Sequence, residues 1–294
     1  MIIIIPNTIT NAMITANTAV NADADYVPVT TYAAGVKVTY GNFIYLSLQA
    51  GNTGNQPDLT ASAAWWSLVS ASNKWAMFDD EVQTQSTAAN TLSTTIRASY
   101  VNAISCVNIT ASSVDIEVKK GATVVYTKTI DLFDYALIVD WAIYFFSEHD
   151  FQAEFSLTDL PSLPDVDIKI TVNKPTSTVG VGKVIIGAKL DVGLEEYNLK
   201  REGIDYTQAN FDPFGKLSLT KRSYARKYST TAIMENAKFD YVSKKLDSIA
   251  SIPVLCIGGN GFKSSLTVYG LVTYSIILEH LQVSRVAIDV RGLI

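Results

Sequence analysis

The sequence predicts a mainly β protein that consists of a small three-stranded module, a β-sandwich and a C-terminal α+β domain. Short runs of alternating apolar and polar residues recur along the chain, and this alternation is typical of half-buried strands. Turn-forming Gly, Asn and Pro residues separate the runs, as in all-β folds. Only residues 236–249 repeat their apolar side chains at the spacing of an amphipathic helix.

Composition divides the chain into four parts. Residues 1–25 are predicted to be an extended N-terminal arm, residues 26–76 the small module, residues 77–195 the sandwich and residues 196–294 the α+β domain. The third part carries sixteen acidic against eight basic residues, and the last carries thirteen basic against nine acidic residues. Opposed charges of this kind favour docking, either between the two parts or onto a partner.

The arm begins with four β-prone residues, Ile2, Ile3, Ile4 and Ile5. An exposed strand of this composition would be prone to aggregation. We therefore expect the arm to be docked, and the predicted mode is addition of a strand to a neighbouring subunit. The other interpretation is a frayed terminus.

The small module is predicted to contain short strands joined by tight turns. Apolar and polar residues alternate over 36–40, and Gly and Asn at 41–42 turn the chain into a second strand over 43–48. The segment 51–57 is rich in Gly, Asn and Pro, which predicts a loop. An aromatic side chain after this loop is needed to complete a core that three short strands cannot fill.

The order of aromatic, Gly, Asn and Pro residues in this module resembles carbohydrate-binding modules of families 5 and 12, the chitin-binding type. The resemblance is carried by Tyr32, Gly35, Val38, Tyr40, Gly41, Tyr45, Asn52, Gly54, Pro57 and a closing Trp at 65 or 66. In sugar-binding members, an exposed aromatic pair follows the second strand and stacks on sugar rings. Here the apolar and polar residues 46–49 take that place, so the scaffold is kept without the usual platform.

Four aromatic residues remain candidates for contact with a carbohydrate, namely Trp65, Trp66, Tyr32 and Tyr45. Successive side chains of a strand point to opposite faces. One of the two adjacent Trp residues is therefore expected in the core and the other at the surface.

Divergent modules of this type are similar to those of tailed-bacteriophage virion proteins, where a segment like 73–79 follows the module. The C-terminal residues 286–294 also resemble the ends of phage tail and baseplate proteins. The resemblance implies a structural protein of the virion, at the tail, baseplate or fibre attachment, assembled in the host cytoplasm as an oligomer with other virion proteins. The alternative is an adhesion protein that binds host surface polysaccharide, and a polysaccharide-degrading enzyme is the third hypothesis.

Strands are predicted throughout the two larger parts. In the sandwich, which resembles the galactose-binding-like sandwiches of phage tail proteins, they are 96–100, 105–109, 114–119, 124–130, 141–146, 154–157, 166–172 and 183–190. In the α+β domain they are 217–221, 225–233, 252–257, 266–271, 274–278 and 283–290. The helix over 236–249 places Phe239, Val242, Leu246 and Ile249 on one face.

The basic residues Lys221, Arg222, Arg226 and Lys227 are predicted to dock an acidic partner or to lie in solvent. Nucleic acid is not expected as a partner, because the net charge is −5 and phosphate binding needs clustered basic residues without a compensating acidic excess. No apolar run reaches the ~18 residues of a membrane helix, so membrane insertion is not expected.

No catalytic residue, metal or cofactor is predicted. The acidic neighbours of His149 do not share its face, and His280 is expected in a loop or at a strand edge, so neither is predicted to be catalytic. The acidic run 79–81 is expected at a turn rather than around Ca²⁺. The segment 258–264 imitates a phosphate-binding loop, but Gly is missing at the positions that the motif requires. It is predicted to be a hairpin turn. Cys106 and Cys256 lie in apolar runs and are expected to be buried thiols.

Overall fold

A computed structural model describes residues 1–135, 138–146, 150–197, 199–211, 213–259 and 266–293, and it confirms the mainly β fold. The strands, in chain order, are β1 (Ile2–Pro6), β2 (Ile14–Asn17), β3 (Lys37–Tyr40), β4 (Phe43–Ser47), β5 (Trp66–Ala71), β6 (Ser86–Ala98), β7 (Ala103–Thr110), β8 (Ser113–Lys120), β9 (Thr123–Asp131), β10 (Glu154–Leu157), β11 (Val166–Asp191), β12 (Leu194–Glu195), β13 (Lys200–Asp205), β14 (Gln208–Phe211), β15 (Leu217–Thr220), β16 (Tyr224–Glu235), β17 (Val254–Ile257), β18 (Thr267–Leu278) and β19 (Val283–Gly292). The α-helices are α1 (Trp141–Phe146) and α2 (Phe239–Ser248).

The small module forms a separate antiparallel sheet in the order β3-β4-β5. The Gly41-Asn42 turn joins its first two strands, and Gly41 adopts a φ of +60°. This left-handed conformation is readily adopted by glycine, which explains the turn that the sequence predicts.

Strand β11 organises the predicted sandwich because it is long enough to pair with three other strands of this part. It pairs with β6 along most of its length, with β8 over 167–173 and with β7 over 180–187. Side chains from these strands enclose one apolar core. The sequence predicts two strands here, over 166–172 and 183–190. The structure has one, because the residues around Pro175 form only an irregularity in the pairing with β6.

Strand β1 lies in the middle of the large sheet, between β11 and β17 of the same chain. Ile3 and Ile4 have no exposed surface, and they point into different apolar clusters. The prediction that Ile2, Ile3, Ile4 and Ile5 dock onto a neighbouring subunit is therefore wrong. The hydrophobic argument for docking holds, but the receiving strands belong to the chain itself.

The C-terminal part continues the same sheet in the order β17-β18-β19-β16, and β12 and β13 pair with β16. Helix α2 contributes Val242 and Leu246, and the residue that follows it, Ile249, to the apolar cluster that also contains Val286, Ile288 and Val290 of β19, as the helical periodicity predicts. Because β1 joins β11 to β17, the sheet runs without a break across the predicted boundary at residue 195.

One predicted strand, 141–146, is a short helix instead. Asp140 lies at its start, where its carboxylate accepts a hydrogen bond from the Ile143 N–H at 2.8 Å and its carbonyl accepts one from the Tyr144 N–H. An acidic side chain that satisfies the first free N–H groups favours a helix at this point. The strand was predicted from the large apolar residues of this run, although the run lacks the alternation of a half-buried strand.

Lys183 of β11 ties the segment after the module to the large sheet. Its side chain is 92% buried, and Nζ donates hydrogen bonds to the carbonyl oxygens of Phe78, at 3.3 Å, and Asp79. Nζ also lies 3.4 Å from a carboxylate oxygen of Asp80 and 5.6 Å from the centre of the Tyr269 ring. Burial lowers the pKa of Lys183 below its usual range, and the two aspartates oppose this shift.

Replacing Lys183 with Met should lower the free energy of unfolding by about 1–3 kcal/mol at pH 7, because the two carbonyl oxygens lose their donor. The folded wild type releases the Lys183 proton at lower pH than the unfolded chain, so wild-type stability rises with pH towards the unfolded pKa of 10.5. Lys183→Met lacks this gain. Urea unfolding at pH 7, 8.5 and 10 should show a widening gap between the two proteins.

Lys128→Met is the matched control, since the Lys128–Asp159 ion pair lies in solvent. It should cost less than about 1 kcal/mol. A stability gap for Lys183→Met that is constant between pH 7 and 10 would contradict the lowered pKa.

Candidate functional site

Two of the four predicted sugar-contacting residues, Tyr32 and Trp66, lie in the core of the small module. Their exposed fractions are 8% and 4%, and their ring centres lie 5.4 Å apart. Tyr26 packs against both rings, and the Trp66 indole N–H donates a hydrogen bond to the Asn55 carbonyl at 2.8 Å. These two rings stabilise the module and present no face to a ligand.

The other two residues, Tyr45 and Trp65, are half-buried against the same core. Burial is the main cause that raises the pKa of Tyr45 above its usual range. Trp66 is therefore the expected core Trp, but Trp65 is half-buried rather than at the surface, and none of the four predicted residues is fully exposed. They do not form the open aromatic platform on which sugar rings stack in the carbohydrate-binding modules that the sequence resembles.

The Asn-containing motif of the module has a structural role. Asn52 is completely buried, its backbone pairs with Tyr32, and its amide donates a hydrogen bond to Ser47 Oγ at 3.2 Å. Asn55 donates in turn to the Asn52 amide oxygen at 2.9 Å. Asn52, one of the residues that carry the resemblance, therefore holds the loop onto Tyr32 and strand β4.

Two of the predicted basic docking residues are bound within the chain. Arg226 donates to both carboxylate oxygens of Glu154, at 2.7 and 2.9 Å, and Lys227 lies 3.6 Å from Glu202. The Arg226–Glu154 pair joins the basic C-terminal part to the acidic sandwich. For these two residues, the predicted partner is the chain itself.

Arg226 and Glu154 line a cavity of about 490 Å³ between the two parts. Burial is the largest cause that raises the pKa of Glu154, while Arg226 lowers it. Both oxygens of the carboxylate are bonded to the guanidinium, so the pair serves as a structural link across the cavity wall.

Lys221 and Arg222, the other two basic docking residues, are exposed and follow a hairpin that projects into solvent. This hairpin consists of β14 and β15, which pair with each other and with no other described strand. All residues of both strands are exposed. Arg222 donates from its guanidinium to the Gln208 side chain at 3.0 Å, which holds its charge beside the hairpin.

The hairpin has one apolar face and one polar face. Ala209 is opposite Leu219 and Phe211 is opposite Leu217, and residues opposite each other in an antiparallel pair share a face. We call these four residues the hairpin face. Phe211, Leu217 and Leu219 are 71%, 46% and 56% exposed. Such a pattern normally faces a core, yet nothing in the described part of the chain covers it.

Helix α1 presents a second exposed apolar surface. Trp141, Phe145 and Phe146 are 76%, 65% and 89% exposed. The Trp141 and Phe145 rings are nearly parallel, with centres 6.0 Å apart, and the Tyr144 ring packs edge-on against both. The rings therefore form an aromatic cluster at the surface rather than part of the core.

The described residues contain no group of three or more His, Cys, Asp or Glu that could hold a metal ion. Asp79 accepts hydrogen bonds from Glu81 N and Thr84 Oγ1, as expected of a turn. His280 is exposed between β18 and β19. His149 and most of the predicted turn at 258–264 lie outside the described residues.

Both cysteines, Cys106 and Cys256, are free and completely buried, as the sequence predicts. Burial raises the pKa of each thiol above its usual range. A protonated, inaccessible thiol is a poor nucleophile, so these residues serve the packing of the sheet.

Comparison of the chain with protein-family models, with curated proteins and with solved structures found no match. No helix in the described part of the chain has the length and apolar composition needed to span a membrane.

Proposed function

We propose that this chain is a structural protein of a tailed-phage virion, at the tail, baseplate or fibre attachment, and that it acts by assembly with other virion proteins. The observation that carries the proposal is the hairpin face, an apolar surface on a projecting hairpin. The sequence resemblances to phage tail proteins are the reason for proposing a phage particle as the assembly to which the chain belongs. The hairpin face then binds a neighbouring virion protein.

The energetics of the hairpin favour a partner. A two-stranded hairpin alone is at best marginally stable in water, and every residue of β14 and β15 is exposed. Burial of a Leu or Phe side chain contributes about 1.5–3 kcal/mol. Three such side chains covered by a partner would stabilise both the hairpin and the assembly.

The charges beside the hairpin indicate the chemistry of the partner. Lys221 and Arg222 directly follow β15 and are exposed. We expect an apolar patch with acidic residues at its rim, since charge complementarity at a rim orients the partners and speeds their association. The aromatic cluster of helix α1 provides a second apolar contact of the kind enriched at protein interfaces.

Replacing Phe211 and Leu219 with Ser should prevent incorporation of the chain into particles while leaving its melting temperature unchanged, because both side chains are exposed in the free chain. Immunogold electron microscopy of tailed particles that encode this chain should place the label at one position along the tail. Particles that encode Phe211→Ser with Leu219→Ser should lose it.

Val124→Ser with Val125→Ser is the matched control, because these residues of β9 are also exposed and apolar. Particles encoding this pair should be labelled like wild type. Wild-type particles that carry no label would overturn the proposed function. Normal incorporation of the Phe211 and Leu219 variant would overturn the role of the hairpin.

A further inference from the structure

Strand β18 has an open edge over much of its length. It pairs with β17 only over 267–270, whereas it pairs with β19 over 270–278. Among the described residues, nothing pairs with the other edge of 271–278. The large sheet therefore ends there with unpaired backbone groups.

Two hydrogen bonds show which residues point into this edge. Leu293 N donates to the Tyr269 carbonyl at 3.0 Å, and Gly258 N donates to the Leu266 carbonyl at 3.2 Å. Hydrogen-bonded pairs alternate along an antiparallel ladder, so the odd-numbered residues of β18 bond to β19 and the even-numbered residues face the side of β17. Beyond the end of β17, the backbone groups that point outward belong to Val272, Tyr274, Ile276 and Leu278.

The composition of this edge is unusual for a strand that stays in water. Residues 271–278 contain no charged side chain and no proline, and their pairing with β19 has no bulge. Ile277 and Leu278 are 56% and 64% exposed. Natural sheets normally protect open edges with charges, prolines or bulges, and an edge without them is a template for another strand.

We infer that β18 of a second copy of this chain covers the edge, in antiparallel orientation around a two-fold axis at Ser275. Residues that are opposite each other must point to the same face, so the two-fold axis must pass through a residue and not between two residues. This axis pairs Val272 with Leu278 of the second copy and Tyr274 with Ile276, so all four outward-pointing residues exchange backbone hydrogen bonds. An axis at Tyr274 would instead place Leu278 opposite Gly270, which is already paired with Val254.

The lack of charge is what allows the strand to pair with itself. Like charges directly opposite each other destabilise a sheet, and a two-fold interface brings the same surface of both copies together. No residue of 271–278 meets a like charge in this arrangement. The dimer continues the large sheet from one copy into the next.

Ser275→Cys tests the pairing directly. The two Ser275 residues form a non-hydrogen-bonded pair, whose Cα atoms lie about 4.5 Å apart, within the range that a disulfide spans. Mild oxidation of Ser275→Cys should produce a covalent dimer on a non-reducing gel. The native cysteines do not compete, because both are buried.

Thr273→Cys is the matched control, since Thr273 is exposed on the same face. In the inferred register it is opposite Ile277 of the second copy and lies four residues along the strand from its own counterpart, about 13 Å away. It should not form the disulfide. Equal cross-linking of the two variants would overturn the register.

Ser275→Lys places two like charges opposite each other at the two-fold axis. Light scattering coupled to gel filtration should show a dimer for the wild type and weaker association for this variant, by about tenfold or more, with an unchanged circular dichroism spectrum. A monomeric wild type would overturn the inference, as would a Ser275→Lys variant that dimerises as tightly. These results are independent of particle labelling, so the inference and the proposed function can fail separately.

Discussion

Removal of residues 1–6 should leave a chain that does not fold. Strand β1 supplies hydrogen bonds to β11 on one side and to β17 on the other, so its loss opens the middle of the large sheet. The deletion also removes Ile3 and Ile4 from two apolar clusters. Circular dichroism and urea unfolding of the truncated chain should show no cooperative transition.

Single substitutions in β1 test the same role of this strand, with smaller losses of stability than the deletion. Ile3→Ala and Ile4→Ala should each lower the free energy of unfolding by about 2–5 kcal/mol, the usual cost of a cavity at a fully buried site. Ile252→Ala is the control, because Ile252 is 44% exposed and should cost less than about 1 kcal/mol. A truncated chain that unfolds cooperatively at wild-type urea concentration would contradict the central role of β1.

Replacing Arg226 with Met should lower the free energy of unfolding by about 3 kcal/mol at pH 8. The Glu154 side chain is 8% exposed, and one guanidinium nitrogen of Arg226 donates to both of its carboxylate oxygens. Removal of one partner of a buried ion pair typically costs about 3–5 kcal/mol. We expect the lower end of this range because about a third of the Arg226 side chain is exposed, which lets solvent reach the pair.

The cost of Arg226→Met should depend on pH. Burial already raises the pKa of Glu154 above 4.5, and loss of Arg226 removes the main opposing cause. A carboxyl group with a raised folded pKa contributes most stability below its unfolded pKa and loses that contribution as pH rises through the folded value. Urea unfolding should therefore show a small cost near pH 4.5 and the full cost at pH 8.

Arg97→Met is the matched control for this prediction. Arg97 likewise donates to both carboxylate oxygens of one acidic residue, Asp167, but its side chain is 59% exposed. Its loss should cost less than about 1 kcal/mol, because water screens an exposed pair. Replacing both Arg226 and Glu154 with apolar residues should recover part of the stability. A cost of Arg226→Met that does not change between pH 4.5 and 8 would contradict burial of an unpaired carboxylate.

Local features of the fold could be predicted from the sequence because neighbouring residues determine them. The alternation in β8, the Gly-Asn turn of the module and the helical periodicity of α2 each report a local backbone preference. The same reasoning failed at 141–146, where the large apolar residues predicted a strand but Asp140 caps a helix. It also divided β11 and β18 into two strands each, because each predicted strand ended at an interruption of its pattern, around Pro175 in β11 and at residues 272–273 in β18.

The candidate site was less predictable, because exposure depends on what packs above a residue. Trp65 and Trp66 are adjacent and chemically alike, yet the two differ in burial. Only one strand of the projecting hairpin was predicted, over 217–221, and its sequence does not show that its apolar side chains lie in solvent. A strand pattern shows that one face should be covered, but it does not identify the covering surface.

The sequence by itself determined that the chain is mainly β, that its thiols are buried and that its first isoleucines must be covered. Tertiary structure alone decided that β11 and β17 of the same chain cover them, and that Arg226 bonds to Glu154 of the sandwich. The physical reason is that burial and backbone pairing are driven by local composition, whereas the choice of partner among distant strands depends on the packing of the whole sheet.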